Sequence, residues 1–330
     1  MKAAVFHKYE DLDSLELIEL EIPTPRDNEV LIKVHASSVN SWDGDILKGI
    51  PLANRFEFGL FKPKRKVLGC DIAGQVEKVG RNVKHLKAGD EVLGDISTSG
   101  MGGMAEYVCA PEKILALKPV GMTFEEAAAI PHTGVLALQG LRDKGHIHEG
   151  QKVLINGAGG GSGTFGVQIA KLYGAEVTCV DQERKFDMLR SLGADHVIDY
   201  TKEDFTKNGQ LYDLILDVVT YRSIFDYKRA LGPKGIYVML GGGDYAKVTQ
   251  IFFLGPLITM TQSLFRRKTG KKMGILMHKP KKMDLDTLIE LYKAGKVVPV
   301  IDRTYPISEL AEAFRYYGEG LSLGKVVIII

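Results

Sequence analysis

The sequence predicts an α/β protein of two units: a β-rich unit built from both ends of the chain, and a doubly wound parallel sheet inserted into it. Three observations carry this expectation. Before Met122, short strand-like runs are broken by Gly, Pro and Asp. From Lys152 onward, strand-like runs alternate with helix-length segments, the pattern of a parallel sheet covered by helices. The last fifty or so residues are too few for a domain by themselves, so they complete the first unit. The expected division is 1–122 with 280–330 against 123–279.

Residues 15–22 read LELIELEI, alternating as a half-buried strand does. Strands are expected next at 30–36, 71–79, 91–93 and 105–109. Such short strands separated by turn residues suggest a barrel or sandwich. Thr123 and Glu126 have the spacing of a capping box, with Thr123 as N-cap. The helix they open is interrupted at Pro131, and a second helix is expected over 135–141. Strands then follow at 153–156, 176–180, 196–200, 211–219 and 235–240, with helices at 164–173, 184–192 and 223–231. Buried parallel strands are continuously apolar, and these runs are. The tail predicts a helix over 286–293, a strand at 297–301, a helix over 308–317 and a strand at 325–330.

Composition excludes several classes. Lys and Arg number 43 against 41 Asp and Glu, while 45% of residues are hydrophobic and 25% charged. This near-neutral balance offers no concentrated basic face for nucleic acid, and nothing calls for integral membrane insertion. The opening residues, MKAAVFHKYED, hold no run of signal-peptide length, so a cytoplasmic location is expected. Cys70, Cys109 and Cys179 make neither a disulfide framework nor a four-cysteine zinc site. Glycine is plentiful at 37 residues, as tight turns or close backbone approach to a ligand require.

The glycines concentrate in KVLINGAGGGSGTFG, residues 152–166. Gly157, Gly160 and Gly163 are spaced three apart, after a strand and at a helix start. One glycine permits the turn, the next lets backbone approach a pyrophosphate, and the third lets helix and strand pack. Gly161, Ser162 and Thr164 complete the loop and the first helical turn, whose free N–H groups attract an anion. Asp181 ends the next strand 18 positions beyond Gly163, where a ribose-binding carboxylate is expected. A dinucleotide, NAD(P)H, is therefore the expected cofactor. Asp181 leans the choice toward NADH. Arg184 and Lys185 could instead pair with a 2′-phosphate, or simply be a solvated helix start.

Taken together, several segments resemble the medium-chain dehydrogenase/reductase superfamily, in its zinc-independent quinone oxidoreductase (zeta-crystallin-like) branch. They are SSVNSWD at 37–43, GCDIAG at 69–74, KAGDEV at 87–92, GGMAEYV at 102–108, EEAAAIP at 125–131, the glycine loop, LGADHVIDY at 192–200 and GKVV at 324–327. The resemblance spans nearly the whole chain. It implies a GroES-like catalytic domain, an inserted Rossmann domain, a cleft between them for nicotinamide and substrate, and a homodimer joined near Gly274 and Met277. Zinc-dependent relatives carry metal ligands at positions that here correspond to Asn40, Cys70-Asp71 and His132. Asn is a poor zinc ligand, so no metal is expected; an atypical site of Cys70, Asp71 and His132 is the alternative.

The implied reaction is hydride transfer to a quinone or an α,β-unsaturated carbonyl without metal. Donors aimed at the carbonyl oxygen lower the barrier. Asn40 and Thr133 are the candidates, although Asn40 could be a turn former and Thr133 a helix-end hydroxyl. Trp42, Asp71 and His132 are expected to line the pocket; Tyr200, Gly241 and Gly242 are expected at the cofactor. Relatives often carry a Tyr where Asp45 stands, so no proton donor is named. Residues 250–257 are strongly apolar and precede Arg266, Arg267 and Lys268; an ordinary helix with a basic end is preferred there over a substrate wall or membrane contact. An alcohol dehydrogenase with an unusual metal, or a non-enzymatic NAD(P)-binding redox sensor, are the competing readings.

Overall fold

The computed structural model describes residues 1–330 except 10, 11, 51, 53, 65, 66 and 242–269. The chain forms two compact units, Met1–Val135 with Lys279–Ile330, and Leu136–His278.

The first unit opens with β1 (Lys2–Phe6) paired antiparallel to β2 (Leu15–Glu19). The long β3 (Glu29–Ser38) leads into α1 (Ser41–Lys48) and the short α2 (Asn54–Phe58). Then come β4 (Asp71–Val79), β5 (Glu91–Asp95), β6 (Tyr107–Pro111), β7 (Leu115–Leu117), α3 (Phe124–Ala129) and α4 (Pro131–Gln139). Along one edge, β3 pairs with β6 through its first half and with the C-terminal strand through its last residues; β4 takes the other edge. β3 is buried almost throughout rather than on alternate residues: Val30, Ile32 and Val34 enter one apolar cluster and α3 packs on the strand.

The capping box at α3 forms as expected: Thr123 N–H donates to Glu126 Oε2 at 2.9 Å, and Glu126 N–H donates to Thr123 Oγ1 at 3.2 Å. The helix it opens packs on β3 and β4. The division between units therefore falls at Val135/Leu136 rather than at Met122.

In the second unit, β8 (Lys152–Asn156), α5 (Gly161–Leu172), β9 (Glu176–Asp181), α6 (Phe186–Ser191), β10 (His196–Asp199), β11 (Tyr212–Asp217), α7 (Ile224–Ala230), β12 (Leu231–Met239) and β13 (Lys272–Ile275) follow one another. Every pairing in this sheet is parallel, in the order β10-β9-β8-β11-β12-β13. The order reverses at β8, so the loop after β8 sits at the topological switch point where doubly wound sheets bind ligands. Leu154, Val180, Ile215 and Tyr237 meet in the core of this unit.

The chain returns to the first unit with α8 (Lys282–Lys293), β14 (Ile301–Pro306), α9 (Leu310–Gly318) and β15 (Lys325–Ile329). The strand expected at 297–301 begins only at Ile301. Val297 is buried and closes the end of α8, its N–H donating to Leu291 O at 3.3 Å. Its apolar character serves a helix terminus, not a ladder. β15 pairs antiparallel with β3, so the tail completes the first unit.

Candidate active site

The glycine loop divides its labour residue by residue. Gly157 has φ +79°, and a Cβ there would lie 2.6 Å from Val219 Cγ1. A Cβ on Gly163 would meet Gly157 O at 2.3 Å and Ala158 O at 2.5 Å, so only glycine lets α5 start against the loop. Gly160 is different. It is the N-cap of α5 with extended backbone, and a Cβ there would meet nothing nearer than Gly157 O at 3.6 Å. The protein's own packing does not require this glycine, and the space above it is open for a ligand's approach. α5 has no side-chain cap and no acid in its first turn, which leaves its positive end for an anion. A dinucleotide pyrophosphate fits this cradle.

Asp181 has a different task from the expected one. Gly159 N–H donates to Oδ2 at 2.8 Å, Gln182 N–H donates to Oδ1 at 2.9 Å, and Lys185 Nζ lies 3.3 Å from Oδ1. Both side chains are buried. Asp181 thus pins the glycine loop, and Lys185 is its partner rather than a hand reaching for phosphate. The exposed rim beyond β9 and β10 is made by Gln182, Arg184 and Tyr200: Arg184 Nε donates to Gln182 Oε1 at 3.0 Å, and Gln182 Nε2 donates to Tyr200 OH at 2.8 Å. Gln182 was not anticipated from the sequence.

Below the loop lies a buried polar network. Asp217 accepts from Asn156 Nδ2 at 2.8 Å, Tyr237 OH at 2.7 Å and Thr220 N–H at 3.0 Å. Burial pushes its carboxyl above the usual range, against these three donors. Thr220 holds a positive φ of 39°, and its hydroxyl donates to Gly241 O at 2.8 Å. Asp217 therefore ties the ends of β8, β11 and β12 together. Gly242, and the apolar and basic stretch after it, lie outside the described residues.

The first unit contains a second buried cluster, at the residues corresponding to the metal ligands of zinc-dependent relatives. Lys325, the first residue of β15, places Nζ 2.6 Å from Asn40 Oδ1 and 3.3 Å from Asp71 Oδ2. Asn40 Nδ2 donates to Asp71 Oδ2 at 2.9 Å and to Ser38 O at 3.2 Å. Ser38 Oγ donates to Asp71 Oδ2 at 2.6 Å, and His132 N–H donates to Asp71 Oδ1 at 2.7 Å. His132 Nδ1 lies 2.8 Å from Asp95 Oδ2. Asp43 receives N–H groups from Asn40 at 3.0 Å and Gly69 at 2.9 Å, with the Cys70 thiol 3.5 Å away.

Several expectations give way to this geometry. Asn40 has committed both amide hydrogens to its own unit, so it is a keystone and not a donor to substrate. Asp71 has no exposure and both its oxygens are engaged, so it does not line a pocket. His132 is buried against Asp95. Trp42 is half-buried and packs edge-on to Phe58 at 6.2 Å, as part of the core. Thr133 keeps its candidacy: its Oγ1 donates to Ala129 O at 3.2 Å, a long bond for a hydroxyl donor. Sequence reasoning missed Lys325, Asp43 and Asp95; a single Lys opening the otherwise apolar KVVIII was the available signal. It also missed Tyr317 of α9, which faces Ser41 and Asp45 and whose phenol is pushed up to about 12, by burial first and then by Asp45.

These residues do not fit zinc. Asn40 is a poor zinc ligand, and the Cys70 thiol, raised by burial and then by the Asp43 and Asp71 charges, lies 3.5 Å from the Asp43 carboxylate. Burial lowers the His132 pKa, but Asp95 and Asp71 outweigh it and the net direction is upward; its Nδ1 is engaged by Asp95 Oδ2 at 2.8 Å. The Lys325 ammonium already stands among the remaining donors.

A parallel sheet with a glycine loop at its switch point, accompanied by a barrel-like unit that the C-terminus completes, defines a two-unit dinucleotide-binding oxidoreductase scaffold. Two family descriptions match the chain: an alcohol dehydrogenase GroES-like domain over residues 26–120, and a zinc-binding dehydrogenase over residues 192–328. The chain is 32% identical to the chloroplast envelope quinone oxidoreductase homolog of Arabidopsis thaliana, covering 95% of this chain and 93% of that one. It is 34% identical to the chloroplastic NADPH-dependent alkenal/one oxidoreductase of the same plant, over 99% of this chain and 79% of that one. A solved quinone oxidoreductase from Coxiella burnetii superposes with a TM-score of 0.87 at 27% identity, over 100% and 99% of the two chains. The chain belongs to the medium-chain dehydrogenase/reductase superfamily.

Proposed function

We propose that this protein is an NAD(P)H-dependent reductase of quinones or α,β-unsaturated carbonyls that works without zinc. The observation that carries the reading is the open Gly160 cradle over the uncapped start of α5. The substrate class is supported by the names of the quinone and alkenal/one relatives. A bound nicotinamide would supply the hydride for a conjugated carbon of the substrate, with the completing proton taken from solvent. Gly157 and Gly163 shape the loop, Asp181 and Lys185 hold it, and Asp217 fixes the strand ends beneath it. In place of a metal, the Lys325 charge organises Asn40 and Asp71. Thr133 is the hydroxyl proposed to meet the developing oxyanion. Its 3.2 Å bond to Ala129 O is long for a hydroxyl donor, so it is given up at little cost.

NADPH is the proposed preference. The NADH expectation needed an available Asp181 carboxylate, and Lys185 offsets its charge. The Arg184 guanidinium on the rim suits a 2′-phosphate. We further propose a cytoplasmic homodimer joined along β13, an edge strand of the sheet among the described residues.

The test is titration of purified protein with NADH and NADPH, followed by assays on quinones, enones and alcohols with and without chelator. Tighter NADPH binding, lost in Arg184→Ala, and chelator-insensitive enone or quinone reduction are expected. Thr133→Ala is expected to lower kcat/KM about 100-fold, with Thr133→Ser close to wild type. Binding without turnover, or chelator-sensitive alcohol oxidation, would overturn the reading.

A further inference from the structure

One segment of the first unit turns apolar side chains outward in a basic setting. Between Lys48 and Lys66 the sequence carries six cations (Lys48, Arg55, Lys62, Lys64, Arg65 and Lys66) against the single acid Glu57. That is a local balance of +5, six less one, in a chain whose whole balance is +2. Phe56 and Phe61 are 79% and 91% exposed, with Leu52 at 68% and Leu60 at 49%. Lys48, Lys62 and Lys64 of the same segment are exposed as well.

The outward rings are not the result of a loose loop. Phe58 is buried against Trp42. Tyr9 OH donates to Gly59 O at 2.7 Å, and Arg55 Nε donates to Gly49 O at 2.9 Å while its guanidinium stacks on the Tyr9 ring. In the turn of α2, residues two apart point to roughly opposite sides, so burying Phe58 presents Phe56. Side chains exposed to this degree are available to an outside surface.

We propose that this segment docks the protein on an anionic lipid surface. Phe56, Phe61, Leu52 and Leu60 enter the boundary between headgroups and acyl chains, and Lys48, Lys62 and Lys64 meet the lipid charges. The charge pattern matches an acidic surface, and the apolar pattern matches lipid better than nucleic acid: bases stack on aromatic rings but have no use for two projecting leucines. Docking here does not depend on the substrate proposed above, and its test does not read activity.

The experiment is co-sedimentation of the full chain with vesicles of phosphatidylcholine alone or with about a third phosphatidylserine. Expected is at least about tenfold more binding to the anionic vesicles, falling as salt rises. Phe56→Ser with Phe61→Ser should abolish it, while Phe225→Ser, a change at another exposed ring, should not. Lys62→Gln with Lys64→Gln removes no buried group and should weaken binding; thermal melting confirms that each variant is folded. Equal binding to both vesicles, wild-type binding by the Phe56/Phe61 variant, or binding to RNA with none to vesicles would overturn the proposal.

Discussion

Lys325 is the residue on which the proposal of zinc-free chemistry rests. It is buried with Asp71, and removing one partner of such a pair leaves the other charge uncompensated. Lys325→Met is expected to destabilise the fold by about 3–5 kcal/mol, measured by denaturant unfolding. Lys325→Met with Asp71→Asn should recover much of that loss; additive losses would mean the two residues do not interact. The glycines give a second contrast. Gly160→Ala should leave the melting temperature unchanged and weaken NADPH binding about tenfold or more, while Gly163→Ala should lower the melting temperature because its Cβ meets backbone oxygens. Equal effects of the two changes on stability would contradict their separate roles. Spacing made the glycines legible in the sequence. Lys325 was not, because its partners Asn40 and Asp71 lie 285 and 254 positions away, and no local pattern reports a pairing at that range.

Among the elements, α1 shows how a helix start can tune a titration. Asp43 stands at its third position and accepts two backbone N–H groups, yet burial, its largest influence, pushes its carboxyl from 3.8 up to about 6. A group with a raised folded pKa binds its proton more tightly when native. The native state therefore loses relative stability as pH rises from about 4 to 6, and holds that deficit above. Replacing Asp43 by Asn should remove this slope, so wild type falls relative to the variant by about 3 kcal/mol across that window. Parallel unfolding curves at pH 4 and pH 7 would contradict it. Elements with a strong local signature were legible: the Thr123–Glu126 box, the continuously apolar β8 and β11, and the alternating β2. β1, α1 and α2 were not. They are short, and α1 and α2 carry only part of an apolar face, so tertiary packing of Leu47 and Phe58 decides them. Val297 was misread because a buried valine looks alike at a helix end and in a strand.

For the whole molecule, the return of the tail to the first unit follows from a simple shortage of chain, and β15 on β3 is its physical form. The parallel sheet ends on β13, which among the described residues pairs only with β12. An open edge of this kind is a template for a second copy. Light scattering on a sizing column is expected to give twice the 36.3 kDa chain mass; a monomer at micromolar concentration would remove the dimer. No helix among the described residues is long and apolar enough to cross a membrane.

NAD(P)H-dependent reduction is proposed for a chain in which a lysine stands among the residues that correspond to zinc ligands. It is tested most directly by NADPH-dependent quinone or enone turnover of one preparation, before and after exhaustive chelation, with its zinc content measured alongside. The rate is expected to be the same at both stages, independent of zinc content. A rate that falls with chelation and returns on adding zinc would contradict it.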